Sequence, residues 1–126
     1  MFSKKDNKGF TLMEMLIVVA IIAILIAIMI PVFNAQLEKS REAADAANIR
    51  SAYAEVMVNY LADGTKDATE TVNLQQEQDG WQNTTLETNL KTLVGDDGTY
   101  SGSPTAKGTA TIAIAANTGK VSITLA

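Results

Sequence analysis

The residues from Met15 to Ile30 constrain the fold of this chain more than any other part of its sequence. They comprise only Met, Leu, Ile, Val and Ala, so sixteen consecutive side chains carry no polar group. The stretch without a charged residue is longer and runs from Met15 to Leu37. A helix needs roughly 20 apolar residues to cross a bilayer, and the longer stretch meets that length. The sequence therefore does not predict a wholly soluble globule.

The flanks of this stretch predict its orientation. Lys4, Lys5 and Lys8 precede it, and most of the acidic residues follow it. Because cytoplasmic flanks carry the excess of Lys and Arg, the N-terminus is predicted to lie in the cytoplasm. A secretory signal peptide has a similar basic and apolar pattern, but an A-x-A-like cleavage site should then follow. Here a helix-compatible sequence continues instead, which favours a retained single-pass membrane helix.

The composition excludes several classes of site. Cys and His are absent, which removes zinc fingers, thiol nucleophiles, Ser-His-Asp triads and His-ligated haem. The formal net charge of −4 argues against a general nucleic-acid surface. Neither GxxxxGK[ST] nor GxGxxG occurs. We therefore expect no enzyme activity, no catalytic residue, no cofactor and no direct general binding of nucleic acid.

Glu14 is the one charged residue that borders the apolar run directly. A carboxylate carried to the centre of a bilayer costs about 2.5–3.5 kcal/mol on insertion scales. At the edge of the bilayer it reaches water easily, so one interpretation is a harmless interfacial charge. The other is that Glu14 pairs with a cation that another chain supplies inside the membrane. Its position alone leaves both interpretations open.

The segment from Lys8 to Glu14, with the sequence KGFTLME, is followed at once by the apolar run and Pro31. It resembles the start of type IV prepilins, the family of type IV pilins and of the pseudopilins of type II secretion and DNA-uptake machines. In that family a short basic leader ends in Gly, the next residue is usually Phe, and Glu lies at the fifth mature position. Gly9, Phe10 and Glu14 occupy those places here.

The resemblance implies a role for each matching residue. Prepilin peptidase would cut between Gly9 and Phe10 and then methylate the new amino group of Phe10. Glu14 would neutralise the N-terminal amine of a neighbouring subunit during assembly, and Pro31 would mark a bend or loosening of the helix. The chain departs from many family members at Ala23, where they carry a helix-loosening Gly.

The chain divides into four predicted regions. Residues 1–9 are the leader, 10–36 the transmembrane or filament-core helix, 37–62 an amphipathic helix, and 63–126 a small head. One apolar stripe at helical spacing is predicted to pack under the sheet of the head. It consists of Ala46, Ile49, Tyr53, Val56 and Tyr60. The acidic residues before the stripe, such as Glu38 and Glu42, are assigned to polar turns.

The head is predicted to contain a short helix and a small sheet. Thr84 to Glu87 has the form of a capping box for the helix. Alternating apolar residues in Gly108–Ala115 and Lys120–Leu125, joined by a tight turn, predict a β-hairpin, and residues 69–74 are a candidate third strand. The expected fold class is α+β, with a long N-terminal helix packed against a small antiparallel sheet.

Two features of the head remain open at this stage. Asp96 and Asp97, in a Gly-flanked loop, are a weak alternative as a calcium site, because Asp-Asp-Gly more often marks a solvated turn. Trp81 lies alone in a polar segment and is either a core residue or an exposed adhesive surface.

The predicted function is that of a type IV pilin subunit. Its implied partners are other copies of itself in a homopolymeric filament, prepilin peptidase, and an assembly ATPase with its platform protein. It would reside in the cytoplasmic membrane and then in an extracellular pilus that serves adhesion, motility or DNA uptake. The alternatives are a pseudopilin of a type II secretion or competence system, and a signal-anchored extracytoplasmic binding module that does not polymerise.

Overall fold

The computed structural model of the protein describes residues 11–126. Within them the chain forms two helices and four strands. The elements are α1 (Leu12–Ala62), β1 (Ala68–Asn73), α2 (Thr84–Val94), β2 (Thr99–Gly102), β3 (Thr109–Ile114) and β4 (Val121–Leu125). Contacts divide the chain into two units, the first ending at Gln36 and the second comprising Leu37–Ala126. The α+β class and the long N-terminal helix are confirmed.

The first unit contains the N-terminal part of α1. Every described residue from 11 to 36 is exposed, including the large apolar side chains Leu16, Ile22 and Phe33. The segment is long and apolar enough to cross a membrane, and none of it is buried within the described residues. Its Leu, Met, Ile and Ala content and its lack of Gly suit a helix. The helical conformation of this segment is therefore favoured by its own sequence and not by packing against a core.

The sheet of the second unit has the strand order β1-β3-β4-β2. β3 pairs antiparallel with both β1 and β4, which confirms the predicted hairpin and third strand. β2 pairs parallel with β4, with Tyr100 opposite Ile123. The expectation of a purely antiparallel sheet is therefore wrong, and the sheet is mixed. β2 is only four residues long, too short to show an alternating pattern in the sequence.

The core lies between this sheet and the C-terminal part of α1. Ile112, Ile114 and Ile123 of the central strands are fully buried, as are Ile49 and Val56 of α1. Ala46 is also buried, and Tyr53 and Tyr60 pack against the cluster while partly exposed. The predicted helical stripe therefore packs under the sheet as expected.

The capping of α2 differs from the prediction. The N-cap is Asn83, whose side chain accepts a hydrogen bond of 3.0 Å from the backbone N–H of Thr85. Asn ranks among the best N-cap residues. Glu87 forms an ion pair with Lys91 at 2.9 Å across one turn. The predicted capping box from Thr84 to Glu87 is therefore wrong, although the predicted short helix is present.

The end of β2 requires glycine. Gly102 has φ +83°, and an added Cβ would collide with the carbonyl oxygen of Leu125 on β4. We expect Gly102→Ala to lower the free energy of unfolding by about 1–3 kcal/mol. Urea unfolding in detergent, followed by the fluorescence of Trp81, measures the change. Ser101→Ala is the control, since Ser101 is exposed and should shift stability by less than about 0.5 kcal/mol. Equal stability of the two variants would contradict this account.

Candidate processing and assembly site

The N-terminus of α1 is closed by a reciprocal capping box. The backbone N–H of Thr11 donates to Glu14 Oε2 at 2.8 Å, and the backbone N–H of Glu14 donates to Thr11 Oγ1 at 3.3 Å. The first helical hydrogen bond, from the N–H of Met15 to the carbonyl of Thr11, measures 3.1 Å. Thr11 is thus the N-cap, and Glu14 is the third residue of the helix. Two backbone donors that a helix start leaves unpaired are thereby satisfied.

This capping gives Glu14 a role within its own chain. The carboxylate is exposed and lies at the helix N-terminus, where the helix dipole favours a negative charge. The Thr-x-x-Glu pattern of residues 11–14 would have revealed it from the sequence. The side chain remains available to a cation as well, because a carboxylate accepts more than one hydrogen bond.

The other predicted processing residues lie outside the described part of the chain. Gly9 and Phe10 are not among residues 11–126, so the cleavage and methylation assignments remain predictions. Phe10 directly precedes Thr11 in the sequence. A new amino group on Phe10 would therefore belong to the residue next to the capping box that contains Glu14.

Pro31 lies inside α1, and the helix is continuous from Leu12 to Ala62. Because proline has no N–H, the hydrogen bond to the carbonyl of Ala27 is missing at this turn. The predicted bend or loosening at Pro31 remains a prediction.

Comparison with protein families addresses the same segment. A family model described as the prokaryotic N-terminal methylation motif matches residues 4–30. The chain carries the type IV prepilin and pseudopilin signature. No curated protein and no solved structure shows significant similarity to the chain. The matched segment thus covers residues 4–9 of the predicted leader, the capping box and the apolar run, and it ends one residue before Pro31.

Beyond the prepilin signature, three buried carboxylates organise the head. Glu38, Glu42 and Asp45 of α1 are each at most 2% exposed, although the sequence assigned this segment to polar turns. Asp45 accepts the backbone N–H groups of Gln75 and Gln76 at 2.7 and 2.9 Å. We call Glu38, Glu42 and Asp45 the carboxylate clamp.

The two glutamates of the clamp bind the rest of the same loop. Glu38 accepts the N–H groups of Glu77 and Gln78 at 3.1 and 3.0 Å, and Glu42 accepts those of Gln82 and Asn83. Hydrogen bonds from backbone N–H groups to carboxylates are charge-assisted and stronger than neutral ones. The clamp therefore holds residues 75–83, which lack regular secondary structure, against α1.

Charged and amide side chains complete the surroundings of the clamp. Arg41 Nη1 lies 3.5 Å from Glu38 Oε2 and 3.4 Å from Glu77 Oε2, so it links the helix to the loop. The side-chain amide of Gln76 donates to the carbonyls of Gln78 and Gly80 at 2.7 and 3.0 Å. These contacts close the loop on itself.

Trp81 lies half-buried and packs against the core cluster. Its indole N–H donates to the hydroxyl of Tyr100 at 2.8 Å, and Lys91 Nζ lies 5.4 Å from the centre of the Tyr100 ring. Burial raises the pKa of Tyr100, and the hydrogen bond from Trp81 partly opposes that rise. The tryptophan thus joins the loop to β2.

Asp96 and Asp97, the weak alternative for a calcium site, lie in an exposed turn. Both residues are exposed, in the turn between Gly95 and Gly98. Among residues 11–126, no group of three or more His, Cys, Asp or Glu side chains is arranged to hold a metal ion. The weak calcium alternative therefore has no support from the described residues.

The hydrogen bonds of the clamp predict that its carboxylates stabilise the head more than surface carboxylates do. We expect Asp45→Asn to reduce the free energy of unfolding by about 1–3 kcal/mol, because the amide NH₂ would face a backbone donor and leave it unpaired. Glu55→Gln is the control, since Glu55 is exposed on the same helix. Urea unfolding in detergent, monitored through Trp81, compares the two. A loss below about 0.5 kcal/mol for Asp45→Asn would show that the clamp does not stabilise the head.

Proposed function

We propose that this chain is the structural subunit of a type IV pilin filament. The match of residues 4–30 to the prokaryotic N-terminal methylation motif carries this proposal. Prepilin peptidase would remove residues 1–9 and methylate Phe10, and an assembly ATPase with its platform protein would move the subunit into the filament. The role is mechanical, without an active site of its own.

The exposed apolar part of α1 supports storage in a membrane before assembly. Every described residue up to Gln36 is exposed, and water is a costly environment for such a surface. A bilayer covers it in the free subunit, and the same surface of neighbouring subunits covers it in a filament. The three lysines of the leader hold the N-terminus on the cytoplasmic side. Their removal together with Asp6 makes the mature chain more acidic.

The charge of Glu14 supports assembly with one fixed axial offset between neighbouring subunits. An amine and a carboxylate buried separately in an apolar environment are both costly, whereas paired they offset each other. Only one axial offset brings the amine of Phe10 of one chain to Glu14 of the next. The capping box fixes the Glu14 carboxylate at the start of the helix, next to the surface where the neighbour's amine would arrive.

A pseudopilin shares the same N-terminal signature, so the signature does not separate a pilin from a pseudopilin. The recovery of filaments does. A pilin gives long filaments that shearing releases from the cell surface. A membrane-anchored module that does not polymerise gives none and keeps its leader.

The first experiment tests processing. The chain is expressed with a prepilin peptidase, and the N-terminal peptide is measured by mass spectrometry. We expect a chain that begins at N-methylated Phe10. Gly9→Val should remain full-length, because a branched side chain next to the cleaved bond obstructs the peptidase, whereas Ser3→Ala should be processed normally. A wild-type chain that retains Met1 would contradict the proposal.

The second experiment separates the two roles of Glu14. Glu14→Gln keeps an oxygen that accepts the Thr11 N–H but removes the charge, whereas Thr11→Ala removes the other half of the capping box and keeps the charge. We expect Glu14→Gln to enter the membrane and to yield at least about tenfold fewer filaments, since a lost buried ion pair costs several kcal/mol. Thr11→Ala should still assemble. Electron microscopy and quantification of sheared filaments measure the yield of both variants. A wild-type filament yield from Glu14→Gln would show that assembly does not need the charge of Glu14.

A further inference from the structure

The side of α1 that faces away from the sheet carries a second stripe, which we call the outer seam. Its members are small or apolar, and all are exposed, Val58 at 65% and Leu61 at 75%. The outer seam consists of Ala44, Ala47, Ser51, Ala54, Val58 and Leu61. At 100° per residue it lies about half a turn from the core-facing residues Ile49 and Val56. It is therefore separate from the packing of the head.

The spacing of the outer seam is that of a coiled coil. Its residues follow one another at intervals of three and four, so they occupy the a and d positions of a heptad repeat. Ala44, Ser51 and Val58 are the a positions, and no charged residue interrupts the series. Small side chains at these positions allow a second helix to approach closely. The periodicity thus indicates a helix as the partner.

Two charged residues flank the outer seam on opposite sides. Arg50 takes the g position and Glu55 the e position that follows. In a parallel pair of helices in register, each g residue faces the e residue five positions later on the other helix. Arg50 would face Glu55 of a second copy, and symmetry makes this contact twice. Within residues 11–126, neither Arg50 nor Glu55 forms an ion pair, so both are free for such a contact.

We propose that the outer seam docks a second copy of this chain as a parallel, in-register pair of α1 helices. The charges select this occupant and this direction. An antiparallel copy would place g residues beside g residues, where Arg50 meets no carboxylate. The pair is a state of unassembled chains and requires neither cleavage nor filament formation. Its failure is therefore distinguishable from failure of the proposed pilin function.

Cysteine cross-linking tests the pairing, since the chain has no Cys of its own. The full-length chain in membranes receives Ala44→Cys or Ser51→Cys, both at a positions, and a short bismaleimide is added. Asn59→Cys is the matched control, because Asn59 is exposed but lies about 100° around the helix from Val58. We expect a covalent dimer from both seam variants and background yields from the control. Cross-linking of Ser51→Cys alone indicates an antiparallel copy, and cross-linking of neither indicates another occupant; each result overturns the proposal.

A charge exchange tests the direction of the pair. In the Ser51→Cys background, Arg50→Glu replaces two ion pairs by two repulsions and should lower the cross-linking yield about threefold to tenfold. Adding Glu55→Arg should restore the yield, which a structural defect of either substitution would not allow. An unchanged yield from Arg50→Glu would overturn the assigned register.

Discussion

The head depends on placing three negative charges where water cannot reach them. Glu38, Glu42 and Asp45 are buried, and a buried carboxylate is costly unless hydrogen bonds replace its hydration. The loop of residues 75–83 supplies those bonds from backbone N–H groups that have no strand or helix partner of their own. The carboxylates in turn supply acceptors for these N–H groups, which matters because an unpaired buried N–H is also costly. Removing either side leaves an unsatisfied charge or unsatisfied donors.

The clamp and the apolar core belong to one continuous stripe of α1. Glu38, Glu42, Asp45, Ile49, Ala52 and Val56 follow one another at intervals of four and three, and all are buried. Ile49 and Val56 of the apolar half belong to the predicted stripe, because periodicity is read from apolar residues. The acidic half was assigned to polar turns, since a carboxylate is buried only when a partner distant in the chain satisfies it. The partner residues in the loop lie at least thirty residues away in the chain, and the local sequence does not reveal them.

The prediction of capping residues from the local sequence is limited in a similar way. The Ser/Thr-x-x-Glu pattern occurs at Thr84 to Glu87, where Asn83 caps the helix instead, and at Thr11 to Glu14, where the reciprocal bonds form. A local pattern cannot decide between two adjacent capping residues, because the choice depends on where the preceding loop is held. The long helix, the hairpin and the N-terminal signature were predictable since each is a local or strongly periodic feature. β2 was not, because its pairing with β4 joins distant segments.

The clamp also limits where along α1 the helix can change shape. Glu38 follows Pro31 by seven residues, which is about 10 Å along a helix. Up to Gln36, the described residues of α1 carry only exposed side chains, so twisting or unwinding there breaks no contact of the head. From Glu38 onward, the same movement would pull carboxylates away from six loop residues. A bend or unwinding that keeps the head intact would therefore be confined to the part of α1 that ends at Gln36.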